Sequence, residues 1–197
     1  MAAANSVWIS LLVSIIIVIL FIQAVPTAHS QNDEDQLIWA KRVVSGNQVI
    51  TNLQFYFHDV VGGRNPSAIR IAEAPQTKNS TTFFGSLMMI DDALTVGPDP
   101  ASKPVGRARG MYGSAGQTDF GLIMALSYVF SDGIYDGSSF SMLSINPATE
   151  TVREMAVVGG TGLFRMARGY AIARTYWLNA ATGDAIVGYN VTILTYV

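Results

Sequence analysis

The chain has 197 residues, half of them hydrophobic and 13% charged, with a formal net charge of −2. That length supports one domain with a substantial core, and the charge gives no electrostatic basis for binding nucleic acid or acidic lipid. With no cysteine and only two histidines, His29 and His58, a disulfide framework, a thiolate site and a His-rich metal centre are excluded.

The N-terminus reads as a targeting segment. Val7 to Val25 carries no charge, Leu11 to Ile22 is almost wholly aliphatic, and Ala28-His29-Ser30 fits a small-x-small cleavage site. Residues 1–30 are therefore expected to be a signal peptide, with a single-span anchor as the alternative because the n-region lacks Lys or Arg and the apolar run is long. After cleavage no membrane attachment is expected. Secretion gives meaning to two N-glycosylation sequons, Asn79-Ser80-Thr81 and Asn190-Val191-Thr192.

Residues 31–50 are polar and expected to be loose, with Trp39 as a tether, and a single domain is expected over 51–197. Asn52 to Val61 is the first clear strand, followed by the turn cluster Gly62 to Ser67. Ala68 to Glu73 alternates again. Thr82 to Ile90 is an apolar run that Asp91-Asp92 is expected to break, and a Pro-rich loop covers Gly97 to Pro104. Strands follow at Val105–Tyr112, Gly121–Phe130 (where helical periodicity also fits), Phe140–Ile145 and Thr151–Val158. Leu163–Tyr176 reads as a strand interrupted by Gly169, and Ala185–Tyr196 closes the chain. Eight or nine short strands without a long helix predict a sandwich or a closed barrel, and a barrel of about eight strands can hold one small ligand.

Few residues can carry chemistry. No Gly-x-Ser-x-Gly elbow and no EF-hand spacing is present. Gly159-Gly160-Thr161-Gly162 lacks the Lys-Ser/Thr of a phosphate loop and reads as a tight turn. In Phe55-Tyr56-Phe57-His58-Asp59, strict alternation sets Phe55, Phe57 and Asp59 on one face. If that face lines a lumen, desolvation raises the Asp59 carboxyl into a useful acid–base range; the competing reading is that Asp59 ends the strand and caps the next turn. His58 is expected to face outward. Arg165 and Arg168 fall on opposite faces, so one can enter a cavity, and Tyr112 can donate a phenolic hydrogen bond or serve as a core aromatic.

Taken together, these blocks resemble the plant dirigent family: Phe-Tyr-Phe-His-Asp (55–59), Ala-Glu-Ala-Pro (72–75), Phe-Gly-Ser-Leu-Met-Met-Ile-Asp-Asp (84–92), Val-Gly-Arg-Ala-Arg-Gly-Met-Tyr (105–112), Arg-Glu-Met-Ala-Val-Val-Gly-Gly-Thr-Gly (153–162) and Ala-Arg-Gly-Tyr-Ala (167–171). The resemblance implies an all-β fold, an eight-stranded antiparallel β-barrel with a central ligand cavity, assembled as a homotrimer and secreted to the apoplast or cell wall. It implies no metal or redox cofactor. It also implies a phenolic small-molecule substrate whose radicals, made by a separate extracellular laccase or peroxidase, are oriented for stereoselective coupling. Carried over residue by residue, the pocket acid falls on Asp59, the pocket tyrosine on Tyr112, and the pocket arginine on Arg168 with Arg165 as competitor; Phe55, Phe57 and Leu163 are the expected ligand contacts. Leu163 stands where lignan-forming members tend to carry a second aspartate. That departure implies a single buried acid and keeps two further readings open: a pterocarpan-synthase-like dehydratase and cyclase acting on an isoflavanol through a quinone methide, and a phenol-binding defence protein without catalysis.

Overall fold

The computed structural model describes residues 39–196; the expected signal peptide and the start of the loose segment lie outside them. Ten strands follow in chain order: β1 (Ala40–Ser45), β2 (Gln48–Asp59), β3 (Ala68–Glu73), β4 (Ser86–Thr95), β5 (Pro104–Ser114), β6 (Gly121–Phe130), β7 (Ser139–Pro147), β8 (Arg153–Thr161), β9 (Arg168–Leu178) and β10 (Ala185–Tyr196). All pairings are antiparallel, in the order β1-β2-β10-β9-β8-β7-β6-β5-β4-β3, with a further β2–β4 pairing. That last contact closes eight strands, β2 and β4 to β10, into a barrel, as expected. At the seam one edge of β2 is shared between β1 (Gln48–Leu53) and β4 (Tyr56–His58). The facing edge of β4 is likewise shared between β2 and β3. Closure removes free edges that would otherwise invite pairing with other chains. No helix among the described residues is long and apolar enough to cross a membrane.

Three local expectations are corrected. Residues 40–45, expected to be loose, pair with β2 as β1, and the Trp39 ring behind them is buried against Phe130 at 5.3 Å. Its indole Nε1 donates to Asp132 at 3.1 Å, so the tether is real and draws its neighbours onto the sheet. Asp91-Asp92 does not break β4: alternation turns Asp91 outward, to Arg107 and Arg109 of β5, and Asp92 inward. Residues 162–164 form a 3-10 turn, and β9 starts only at Arg168. Gly162 supplies the left-handed φ of +60° that this turn requires. Gly169 interrupts nothing; it lies within β9, where a Cβ would meet the carbonyl oxygen of Thr192 at 1.9 Å.

The inward faces divide the barrel in two. One end is packed with rings: Tyr128 stacks on Phe140 at 4.5 Å, Phe55 on Tyr189 at 5.6 Å, and Tyr135 on Phe164 at 5.4 Å. Such stacked pairs add to the area term of burial. The other end is left open.

Candidate functional site: an acid in the open end of the barrel

A cavity of about 830 Å³ occupies the open end, within the usual range of small-molecule sites. Its walls are mainly Phe57, Met88, Leu122, Met124, Val187 and Tyr189, into which Asp59, Tyr112, Ser86, Ser114 and Asn146 bring polar atoms. At the lip, Phe83 adopts φ +56° and meets Phe120 edge-on at 6.3 Å, with the Arg70 guanidinium 6.0 Å from the Phe83 ring.

β2 carries the acid because its alternation holds over the whole strand: Leu53, Phe55 and Phe57 point in, Gln54 points out. Asp59 is the next inward position. Its Oδ2 accepts a hydrogen bond from the Tyr112 hydroxyl at 3.0 Å, and its Oδ1 is buried without a partner in the protein. Asp59 does not cap the following turn. Asp184 does that, accepting from the N–H groups of Val61 and Gly62 at 2.8 Å each. Burial is the main force raising the Asp59 carboxyl, to about 6; the Tyr112 bond opposes it and the Asp184 charge adds to it. Tyr112 is itself pushed well above its ordinary value, first by burial and then by the Asp59 charge, so it stays a hydroxyl donor.

Behind Asp59 lies a carboxyl that sequence reasoning missed. The β2–β4 register pairs Phe57 with Leu94 and His58 with Ala93, and one step further sets Asp59 opposite Asp92. Asp92 is fully buried; Ser67 donates to its Oδ1, and its Oδ2 has no partner. Burial, then the Asp59 charge, pushes Asp92 up to about 8. Two carboxylates at facing positions repel when both are charged, so the pair holds a proton at neutral pH. The single-acid expectation is thereby corrected: the second buried acid stands on β4, not after the glycine run.

The other expected site residues divide. Phe57 lines the cavity, whereas Phe55 is fully buried in the ring-packed end. Leu163 is half exposed in the 3-10 turn and is not among the lining residues. Arg168 shares the outward phase of Tyr170 on β9, and its guanidinium bonds the Tyr196 hydroxyl. Arg165 is exposed in the connection before it. The arginine that lines the cavity is Arg70; Arg153 is buried behind the lining residues 148–151. Arg153 donates to the carbonyls of Ala148 and Glu150 at 3.3 and 3.2 Å and to Thr175 at 2.7 Å, pinning a turn that lines the cavity. His58 does face outward from the barrel, yet it is buried by neighbouring chain: its Nε2 donates at 2.7 Å to Thr95, whose hydroxyl donates to the Gly97 carbonyl. Asn79 and Asn190 are both exposed.

Residues 50–194 match the family model described as dirigent-like protein. Dirigent protein 23 of Arabidopsis thaliana is 57% identical over 157 residues, covering 79% of this chain and 84% of that protein. Pterocarpan synthase 1 of Glycyrrhiza echinata is 48% identical over 147 residues, covering 74% and 78%. Among solved structures, a pterocarpan synthase dirigent protein superposes with a TM-score of 0.72 at 47% identity, covering 78% of this chain and 89% of that one. The closed eight-stranded antiparallel barrel matches that dirigent structure, and the chain belongs to the dirigent family.

Proposed function

We propose that the barrel binds a phenolic intermediate and directs its conversion through a quinone methide, with Asp59 as the acid and the cavity walls setting the stereochemistry. The observation that carries this reading is the Asp59 carboxyl: raised by burial, held by Tyr112 and backed by Asp92. The similarity to pterocarpan synthases in both sequence and fold supports the dehydratase and cyclase form. In that form Asp59 gives its proton to a benzylic hydroxyl of an isoflavanol. The C–O bond breaks, water leaves, and the phenol ring donates electrons to the benzylic carbon, giving a protonated quinone methide. A second hydroxyl of the same molecule attacks the methide carbon and returns a proton to Asp59. The net change is loss of one water and closure of one ring, with no oxidant consumed. Holding the attacking oxygen against one face supplies orientation, the term that a rigid cavity provides best.

Coupling of phenoxy radicals made by a laccase or peroxidase is the second reading. The cavity volume favours it, since about 830 Å³ exceeds the need of a single-ring phenol. Secretion after removal of residues 1–30, glycan attachment at the exposed Asn79 and Asn190, and a homotrimer belong to the same proposal. Outward apolar side chains on β7 to β9, among them Leu143, Ile145, Val158 and Tyr170, support assembly.

The deciding experiment incubates an isoflavanol with the protein, without oxidant, and separates the products by chiral chromatography. One enantiomer of the cyclised product is expected. In a parallel arm, laccase and coniferyl alcohol are run with and without the protein; enantiomeric enrichment there alone moves the assignment to coupling. Racemic or absent product in both arms contradicts the catalytic reading.

A further inference from the structure

Asn146 lies across the cavity from Asp59. The ring of strands runs β2-β4-β5-β6-β7 one way and β2-β10-β9-β8-β7 the other, so β2 and β7 are four steps apart in both directions and form opposite walls. Asp59 is the last residue of β2, and Asn146 is next to last on β7. Both line the same cavity.

The Asn146 side chain is not used by the fold. It is 7% exposed, its Nδ2 makes only a weak contact to Met124 Sδ at 3.9 Å, and its Oδ1 has no partner. An unpaired buried carbonyl is costly, and an apolar side chain would suit Leu122 and Met124 better. Neighbouring polar groups are already engaged: the Ser114 hydroxyl donates to the Thr82 carbonyl at 2.6 Å, and the Thr175 hydroxyl accepts from Arg153. Arg153 also fixes the 148–150 turn next to Asn146 in sequence, so this wall is held in place before any ligand arrives. The amide oxygen is thus a fixed, unengaged acceptor facing an acid and a phenol across an apolar middle.

We propose that Asn146 is a second polar pole of the cavity, whose Oδ1 accepts a hydrogen bond from a hydroxyl at the far end of a ligand engaged by Asp59 and Tyr112. The substrate class is then a phenol with free hydroxyl groups at both ends, and methylation of the distal one is selected against. This rests on the phenol-binding reading above, and the test separates the two.

The test is calorimetric titration of the whole protein with 4,4′-methylenediphenol and with its monomethyl ether, which lacks one donor. The wild type should bind the bisphenol at least tenfold more tightly, beyond the twofold statistical advantage of a symmetric ligand. Asn146→Leu should bring the two affinities to within about that twofold, and Asn146→Ala should do the same if the leucine variant fails to fold. Equal binding by the wild type overturns the role of Asn146 and leaves the phenol pocket standing. Tighter binding of the ether means that the amide N–H faces the cavity, and it overturns the proposal. Binding of neither compound overturns the phenol pocket itself, and this inference with it.

Discussion

The two ends of the barrel interior are built by the same strands on the same alternation, yet they hold opposite things. Along β2 the inward series runs Leu53, Phe55, Phe57, Asp59. Its first half enters a packed set of rings that includes Phe55, Tyr128, Phe130 and Phe140, and its second half enters a cavity with a carboxyl at the end. The comparison shows where stability and chemistry reside. Ring packing at one end supplies burial without polar cost. The other end can then tolerate two raised carboxyls and an unpaired amide, each of which is unfavourable for folding.

If that division is right, substitutions at the two ends should separate cleanly. The largest effect belongs to Asp59→Asn, which should lower isoflavanol turnover by about 10²–10⁴-fold, the usual contribution of a positioned acid. Its melting temperature should be unchanged or raised, since a costly carboxyl is removed. Loss of the fold instead would make Asp59 structural. Phe140→Ala, at the packed end, should cost about 3–5 kcal/mol in denaturant unfolding and leave ligand affinity close to wild type. A variant that loses affinity in proportion to stability would mean that the two ends are one unit.

Asp92 gives the next effect, and its sign can be worked out. The folded state keeps this proton up to about pH 8, whereas an unfolded aspartate releases it near its ordinary value of 3.8. Between those limits the unfolded chain binds fewer protons, so stability falls as pH rises. Asp92→Asn should flatten that decline and gain on the order of a few kcal/mol at pH 8 relative to pH 4, read from paired unfolding curves. An unchanged slope would show that Asp92 is not the group responsible. The smallest effect is expected for Tyr112→Phe, with turnover reduced about tenfold or less. Because the Tyr112 bond holds the Asp59 carboxyl down, its loss should move the falling limb of the pH profile to higher pH. A limb that moves down would contradict the assigned bond.

Much of the packed end was legible in the sequence because period-two alternation of large apolar residues has one simple solution, a strand with one face buried. Asp59 was legible for the same reason, being in phase with Phe55 and Phe57. What escaped was polar and set by contacts between strands. Asp91-Asp92 reads as a turn until β5 supplies Arg107 and Arg109 for the outward member. The strand expected over Phe140–Ile145 stops one residue short of Asn146, which sits on the inward face of β7. Arg168 was placed in the pocket by block similarity alone, yet Gly169 takes the inward phase and leaves Arg168 outside. Arg153 gave no local signal, since a buried arginine is visible only through the carbonyls it meets. The 40–45 strand depends on an anchor, Trp39, whose partners lie about ninety residues away at Phe130 and Asp132.

The central claim is that Asp59 is still substantially protonated at mildly acidic pH inside the folded barrel. Carbonyl-¹³C NMR of aspartate-labelled protein tests it without any substrate, with Asp59→Asn assigning the resonance. The account predicts a titration midpoint for Asp59 of about 6. A midpoint near the ordinary aspartate value of 3.8 would show a solvated carboxylate and contradict the acid role.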